Sequence, residues 1–176
     1  MLTFARVRAI TVVAALFLAA VISASMALAR DGDRAEVQEN CPDGYVLANL
    51  SLPEAPDVKI GVYNGTNRTG LADQVGDNFA NREFEVIDRG DNESEFDGVA
   101  QLHFGPQAVG AAQLVRAYFL NEAETVFDID RQDDAVDVVL GTQFRQLATP
   151  TEVHQAIAQA GNPAPPPGTC PAAESD

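Results

Sequence analysis

Apolar residues near the start of the chain form one long run, from Ala9 to Ala29, which is broken only by Thr11, Ser23 and Ser25 and has two arginines before it. About 20 apolar residues span a bilayer as a helix, whereas the apolar part of a signal peptide usually has about 7 to 15. The length therefore predicts a transmembrane anchor within residues 1–30. An A-x-A pattern ends at Ala29, so cleavage by signal peptidase is the alternative. Both alternatives place the remaining chain outside the cytoplasm, because basic residues before such a run stay inside.

Periodic patterns begin after residues 31–57, which form a polar stalk and a proline-containing lead-in. Residues 58–64, VKIGVYN, alternate apolar with polar side chains, which is typical of a half-buried strand. An amphipathic helix follows, with Thr69 as its cap and Val75 and Phe79 on its apolar face. Similar patterns predict the strands FEVIDRG, GVAQLHF, AETVFDI and AVDVVLG, and a second helix over residues 107–120.

The predicted order of elements is β-α-β-β-α-β-β. Strands that alternate in this way are covered on one face only, so the pattern favours an α+β fold over a doubly wound parallel sheet. We predict a two-layer sandwich with both helices on one sheet face, in a split β-α-β (ferredoxin-like) arrangement. This domain occupies residues 58–147. Residues 148–176 add a short helix, with Thr149 and Glu152 in a capping box, and a proline-rich tail.

The two cysteines of the chain, Cys41 and Cys170, stand on either side of the predicted domain. In an exported protein this placement predicts one disulfide, which would hold the tail beside the lead-in. Neither cysteine belongs to a C-x-x-C pair, and the chain has only 2 His. We therefore predict no metal site and no cofactor.

The formal net charge of the chain is -15 at pH 7. The exported part is more acidic still, because Arg6 and Arg8 belong to the targeting segment. Nucleic acids and polyanionic wall polymers are normally bound by clustered Lys and Arg. The charge therefore predicts that the domain has no nucleic-acid partner.

The loop NGTNRTGLA has two glycines at the spacing of a phosphate-binding loop. A Walker loop continues with Lys and Ser or Thr, but here Leu71 and Ala72 follow, so a structural role for the loop is favoured. Backbone amides exposed before a helix can still bind a carboxylate or a sugar hydroxyl. The loop is therefore the first candidate binding surface, with the residues Asn64, Gly65, Thr66, Asn67, Thr69 and Gly70.

Catalytic motifs are not evident in the sequence. The acidic turn DNESEFDG lacks the residue offsets of an EF-hand, and neither His103 nor His154 belongs to a metal-binding or catalytic motif. There is also no nucleophile elbow. These observations predict that the protein is not an enzyme.

The segment VKIGVYNGTNRTGLADQVGDNFANREFEVID, followed later by AVDVVLG, resembles the LytR C-terminal domain family. The matching positions are Asn64, Gly65, Thr66, Gly70, Leu71, Ala72, Phe84, Val86, Val138, Leu140 and Gly141, while Glu83 replaces a glycine that is usual in the family. Such domains often follow a LytR-CpsA-Psr catalytic domain, for which this chain is too short. The resemblance thus implies a stand-alone, non-enzymatic domain, similar to actinobacterial proteins that maintain envelope integrity.

Two functions stay open on this basis. One is docking on cell-wall assembly or other envelope proteins, and the other is binding of peptidoglycan or a lipid. The second predicted helix has more apolar residues than one buried stripe requires, which favours docking, with Leu114 and Tyr118 as the contact surface. We expect the protein in the cytoplasmic membrane, held by its N-terminal segment with the domain outside, or secreted if that segment is cleaved.

Overall fold

The computed structural model describes residues 41–172. The predicted anchor, the A-x-A pattern and residues 31–40 of the stalk lie outside this range. Within residues 41–172, no helix combines the length and apolar character needed to cross a bilayer.

The described chain forms three α-helices and seven strands, which match the predicted order and add a short strand at each end. The helices are α1 (Leu71–Ala80), α2 (Val109–Ala117) and α3 (Pro150–Ala160). The strands are β1 (Val46–Ala48), β2 (Lys59–Asn64), β3 (Glu85–Asp91), β4 (Ala100–Phe104), β5 (Glu124–Phe127), β6 (Ala135–Leu140) and β7 (Thr169–Pro171). Short 3-10 turns at Ala55–Asp57 and Pro106–Ala108 precede β2 and α2.

Five strands form one mixed sheet in the order β3-β2-β6-β4-β5. Strand β2 is parallel to β3 and β6, β4 is parallel to β5, and β4 and β6 are antiparallel. Strand β6 takes the central position, and five of its six residues are buried. The near-continuous apolar sequence of β6 is typical of a strand that is buried in the interior of a sheet.

The α+β two-layer sandwich is confirmed, but the split β-α-β (ferredoxin-like) strand order is wrong. Helix α1 joins the neighbouring strands β2 and β3, and α2 joins the neighbouring strands β4 and β5, so no strand is inserted within either unit. Instead β6 lies between the two units. The alternation of side chains is the same for either strand order, which is why the pattern did not distinguish them.

Both of these helices cover the same face of the sheet. The rings of Phe79 in α1 and Phe119 just after α2 have their centroids 6.2 Å apart. Ile60, Leu102 and Val138, from three different strands, are each fully buried beneath them. One continuous apolar core between two layers therefore holds the domain together.

The C-terminal end of α1 explains why Glu83 is unusual. Its φ is +71°, in the left-handed region that glycine adopts most easily. The amide of Glu83 donates to Ala80 O, the amide of Phe84 donates to Phe79 O, and the two phenylalanine rings contact each other at 5.2 Å. This is a Schellman motif with a glutamate at the position where glycine is preferred.

The capping box of α3 is confirmed. The Glu152 carboxylate accepts hydrogen bonds from the amide and the hydroxyl of Thr149, each at 2.7 Å. The bond from the backbone amide is the main reason that the pKa of Glu152 lies below its ordinary value. Pro150 occupies the first helical position, where its missing N–H leaves no bond unmade.

The two ends of the described chain are joined to each other. Cys41 and Cys170 form a disulfide, and β1 pairs in parallel with β7 through the register Leu47 to Cys170. The predicted disulfide is thus confirmed. Residue Asn49 also donates its amide to Pro106 O, which attaches the lead-in to the domain.

Candidate functional site

The side chain of Asn64, at the start of the candidate loop, is buried and bonded on all sides. Its Oδ1 accepts from the Thr66 amide at 3.2 Å and from the Thr66 hydroxyl at 2.8 Å. Its Nδ2 donates to Arg68 O at 3.0 Å and to Asp91 Oδ1 at 3.3 Å. These bonds fold the loop and connect it to β3. Asn64 and Thr66 therefore have a structural role in this conformation.

Gly65 is required because the chain passes very close to the end of β6. A Cβ at Gly65 would lie 2.8 Å from Leu140 O, closer than side-chain carbons approach such an atom. A Cβ at Gly141 would collide with Gly98 O. The Phe96 backbone closes this region, because its amide donates to Gly65 O at 2.8 Å. Packing thus accounts for two glycines of the family pattern.

The remaining residues of the candidate loop are exposed, and one prediction about them is wrong. Thr69 does not cap α1, because Gly70 occupies the N-cap position in a left-handed conformation with φ +72° and makes no side-chain capping bond. Asn67 and Thr69 are both exposed. Of the six candidate residues, only Asn67, Thr69 and Gly70 are exposed to solvent.

The predicted contact surface on the second helix is wrong for Leu114, which is only 7% exposed. Tyr118 is half-buried and lies at the C-cap of α2. Its ring lies 5.1 Å from the ring of Phe84 and 5.8 Å from that of Phe79, so it packs inward. The two residues do not form an exposed apolar patch.

The wide apolar surface of α2 is buried within the domain on three sides. The helix packs on the sheet through β4 and β6 and contacts α3 on another side, where Ala117 meets Val153 and Ala156. Gly110 allows the lead-in to pass on the third side, and its amide donates to Asn49 O at 3.0 Å. The extra apolar residues therefore face α3 and the lead-in, two elements whose positions the sequence pattern did not reveal.

The acidic turn and the histidines do not assemble into a metal site. Asp91 accepts from Asn64, and Asp97 accepts from the Thr142 hydroxyl at 2.9 Å. His103 contacts Gln101 Oε1 at 2.8 Å, and His154 is exposed on α3. Across residues 41–172, no three His, Cys, Asp or Glu side chains lie close enough together to hold a metal ion.

Charged groups on the open face of the sheet are paired with each other. Arg131 forms salt bridges with Asp133 at 2.9 Å and Asp137 at 2.8 Å. The Tyr63 hydroxyl donates to Asp88 at 2.9 Å. Burial, followed by this hydrogen bond, raises the pKa of Tyr63 to about 12. The polar groups of this face thus satisfy one another.

Three arginines that belong to no sequence motif line one groove between α1 and the segment 144–149. We call this the arginine groove and define it by Arg68, Arg82 and Arg145. Its volume is about 360 Å³. Arg68 comes from the candidate loop, Arg82 follows α1 and Arg145 follows β6. The groove therefore joins residues that are far apart in sequence, and no local pattern would have identified it.

Two of these arginines are held by backbone carbonyls. Arg68 Nη1 donates to Phe144 O at 3.0 Å, and Arg82 Nη1 donates to Ala148 O at 2.7 Å. The guanidinium carbon of Arg82 also lies 5.3 Å from the centre of the Tyr118 ring, in a cation–π contact. These contacts fix both guanidinium groups at the rim of the groove.

A second cleft, of about 530 Å³, lies between α2, β5 and the proline-rich tail. We call it the tail cleft. Its apolar wall includes Phe104, Phe127 and Pro166, and its polar wall includes Arg116 and Asn121. The Asn121 Oδ1 atom is buried and has no hydrogen-bond partner among the described residues. Apolar walls with a few polar groups are typical of small-molecule sites.

Comparisons with known proteins agree with this architecture. No curated protein matches the chain at a significant level. One solved structure that matches is the soluble domain of a conserved hypothetical secreted protein from Mycobacterium marinum, an ortholog of Rv2700. The two sequences are 23% identical, and the aligned region covers 71% of this chain and 93% of the M. marinum chain. The TM-score of 0.50 shows that the fold is shared.

A family comparison identifies the domain more directly. The family described as LytR cell envelope-related transcriptional attenuator matches residues 57–144, which include β2 to β6 and both helices between them. Three residues of this range, Asn64, Gly65 and Gly141, each have a defined packing or hydrogen-bonding role in the structure. The chain therefore belongs to the LytR C-terminal domain family of cell envelope-related proteins.

Proposed function

We propose that this protein is a non-enzymatic binding or scaffold module that acts outside the cytoplasmic membrane and maintains envelope integrity together with cell-wall assembly proteins. The observation that carries the proposal is the Cys41–Cys170 disulfide in a domain of an envelope-related family. Disulfides persist in oxidising compartments and are rare in the cytosol. The anchor predicted within residues 1–30 would keep the domain at the membrane surface.

The contact surface proposed for a partner protein is the exposed tip of the candidate loop, at Asn67 and Thr69. Both residues are exposed and stand just before the start of α1 in the chain. The buried hydrogen bonds of Asn64 hold this tip in one conformation. A pre-organised loop loses little conformational entropy when it binds, which supports its use as a docking site.

Binding of a glycan or lipid is the second candidate, and the tail cleft favours it. Arg116 and Asn121, whose buried Oδ1 has no partner among the described residues, line this cleft together with aromatic and proline side chains. Sugars and lipid headgroups offer donors and apolar surfaces that suit such a wall. A ligand in this cleft would contact α2 and the tail, on a different set of residues from the loop.

In-cell photocrosslinking distinguishes the two candidates. A photoreactive amino acid is placed at Asn67, at Gln159 in the tail cleft, and at Glu85 on the edge strand as a matched exposed control. Captured species are then identified by mass spectrometry. We expect envelope proteins to be captured from Asn67 and not from Glu85.

Capture of glycan or lipid from Gln159, with no protein captured from Asn67, would replace the first candidate with the second. Equal capture from all three positions would contradict both, because it would reflect only the surroundings of the domain.

A further inference from the structure

We propose that the arginine groove binds a compact phosphate group. The proposal does not depend on which envelope partner the domain docks, and it assigns a ligand to a site that the family membership does not define. Its basis is the distribution of charge over the described residues.

Positive charge is scarce in this chain, yet it is concentrated in the groove. The chain has 11 Lys and Arg residues against 26 Asp and Glu. Lys59, Arg89 and Arg131 each form a salt bridge with an aspartate. Within residues 41–172 four arginines form none, and three of these four line the groove, the exception being Arg116 in the tail cleft. Three cations that face one groove without carboxylates repel each other, and a bound anion would remove that cost.

The walls of the groove contain no acidic side chain among the residues described. The flank of α1 that faces the groove carries the amides Gln74 and Asn78, whereas Asp77 on the other flank pairs with Arg89. The carboxylate of Glu152, in the first turn of α3, accepts from the amide and the hydroxyl of Thr149. The side chains that line the groove are thus neutral or cationic.

The geometry of the arginines favours an oxyanion. The bonds to Phe144 O and Ala148 O use Nη1 of Arg68 and Arg82, and their other N–H groups have no partner among the described residues. Guanidinium groups bind phosphate and carboxylate oxygens in pairs of hydrogen bonds. A phosphate monoester carries a charge of about -1.5 to -2 at pH 7, against -1 for a carboxylate, so it offsets three guanidinium charges better.

The acidic surface elsewhere restricts the size of the ligand. A polyanion would extend beyond the groove and meet the negative charge of the rest of the domain. A single phosphate group would not. Arg145 also borders a neighbouring depression, whose lining includes Phe119, the half-exposed Leu120 and one acidic residue, Glu122. The apolar part of an amphiphile would fit there, so the phosphate can come from a free anion or from a lipid headgroup.

Calorimetric titration of the full chain, purified in detergent, tests the proposal. The probes are inorganic phosphate and dihexanoyl phosphatidic acid, with dihexanoyl phosphatidylcholine and acetate as controls for the apolar chains and for general anion binding. We expect Arg145→Gln to weaken the binding of phosphate probes at least about tenfold, because a charge-assisted hydrogen bond is lost. Arg89→Gln removes the same charge outside the groove and should have little effect.

A second measurement on the unchanged protein guards against an unfolded variant. In an NMR titration, addition of phosphate should shift the backbone amide signals of residues 144–149 and leave those of β3 unchanged. Comparable binding of both phosphate probes would indicate that the phosphate group suffices. Binding of phosphatidic acid alone would indicate a lipid headgroup. Both outcomes support the proposal. No binding of either probe at about 10 mM, equal binding of acetate, or equal weakening by Arg89→Gln would overturn it.

Discussion

Replacement of Leu114 by alanine tests whether α2 is a buried or a docking helix. Leu114 is 7% exposed within the core. Removal of a buried leucine side chain costs about 2–5 kcal/mol, and we expect about 3 kcal/mol here. Unfolding of about 130 residues has an entropy of roughly 2.1 cal/mol/K per residue, so the melting temperature should fall by about 10 °C.

Leu120→Ala is the matched control, because Leu120 is 49% exposed and lies just beyond the same helix. Half of its side chain remains in contact with water, so the same truncation should cost only about 1 kcal/mol. Thermal and urea denaturation of both variants give the comparison. If Leu114→Ala melts within about 3 °C of the unchanged protein, Leu114 is not part of the core and our assignment of α2 is refuted.

Three further predictions concern the ends and turns of the domain. Because the disulfide joins residues 129 positions apart, its loss in the Cys41→Ser, Cys170→Ser double variant should lower the free energy of unfolding by up to about 5 kcal/mol; reductant should lower the melting temperature of the unchanged protein only. Asn64→Ala should lower the free energy of unfolding, measured by urea denaturation, by about 2 kcal/mol, because the buried partners of Asn64 lose their hydrogen bonds. Asn67 is exposed, so Asn67→Ala should change this free energy by less than about 0.5 kcal/mol. Glu83→Gly should raise the melting temperature and add about 0.5–1 kcal/mol to the free energy of unfolding, because glycine adopts a left-handed φ without strain. A lower melting temperature would contradict the strain described at that position.

Local elements of the fold follow from the sequence because their causes are local. Alternation identified β2, the spacing of Val75 and Phe79 identified α1, and the capping box at Thr149 identified α3. Strand order does not follow in the same way. The place of β6 between two β-α-β units depends on contacts between segments distant in the chain, and alternation alone is compatible with several orders.

The surface was harder to predict than the core. The apolar excess on α2 suggested an exposed patch, but α3 and the residues around Asn49 cover it. The sequence gives no sign of this coverage, because it depends on how the two ends of the chain return to the domain. The arginine groove was missed for a related reason, since Arg68, Arg82 and Arg145 are isolated in sequence and meet only in the folded chain.

Envelope permeability in a strain that lacks this protein tests the proposed function most directly. Uptake of a membrane-impermeant dye is compared between the deletion strain, the same strain with the full chain restored, and the same strain with a Leu114→Asp chain. Aspartate at this buried position should unfold the domain, because it adds an unpaired charge to the core. We predict that uptake rises on deletion, returns to normal with the full chain, and stays high with Leu114→Asp. Unchanged uptake on deletion, or full restoration by the Leu114→Asp chain, would contradict a role of the folded domain in envelope integrity.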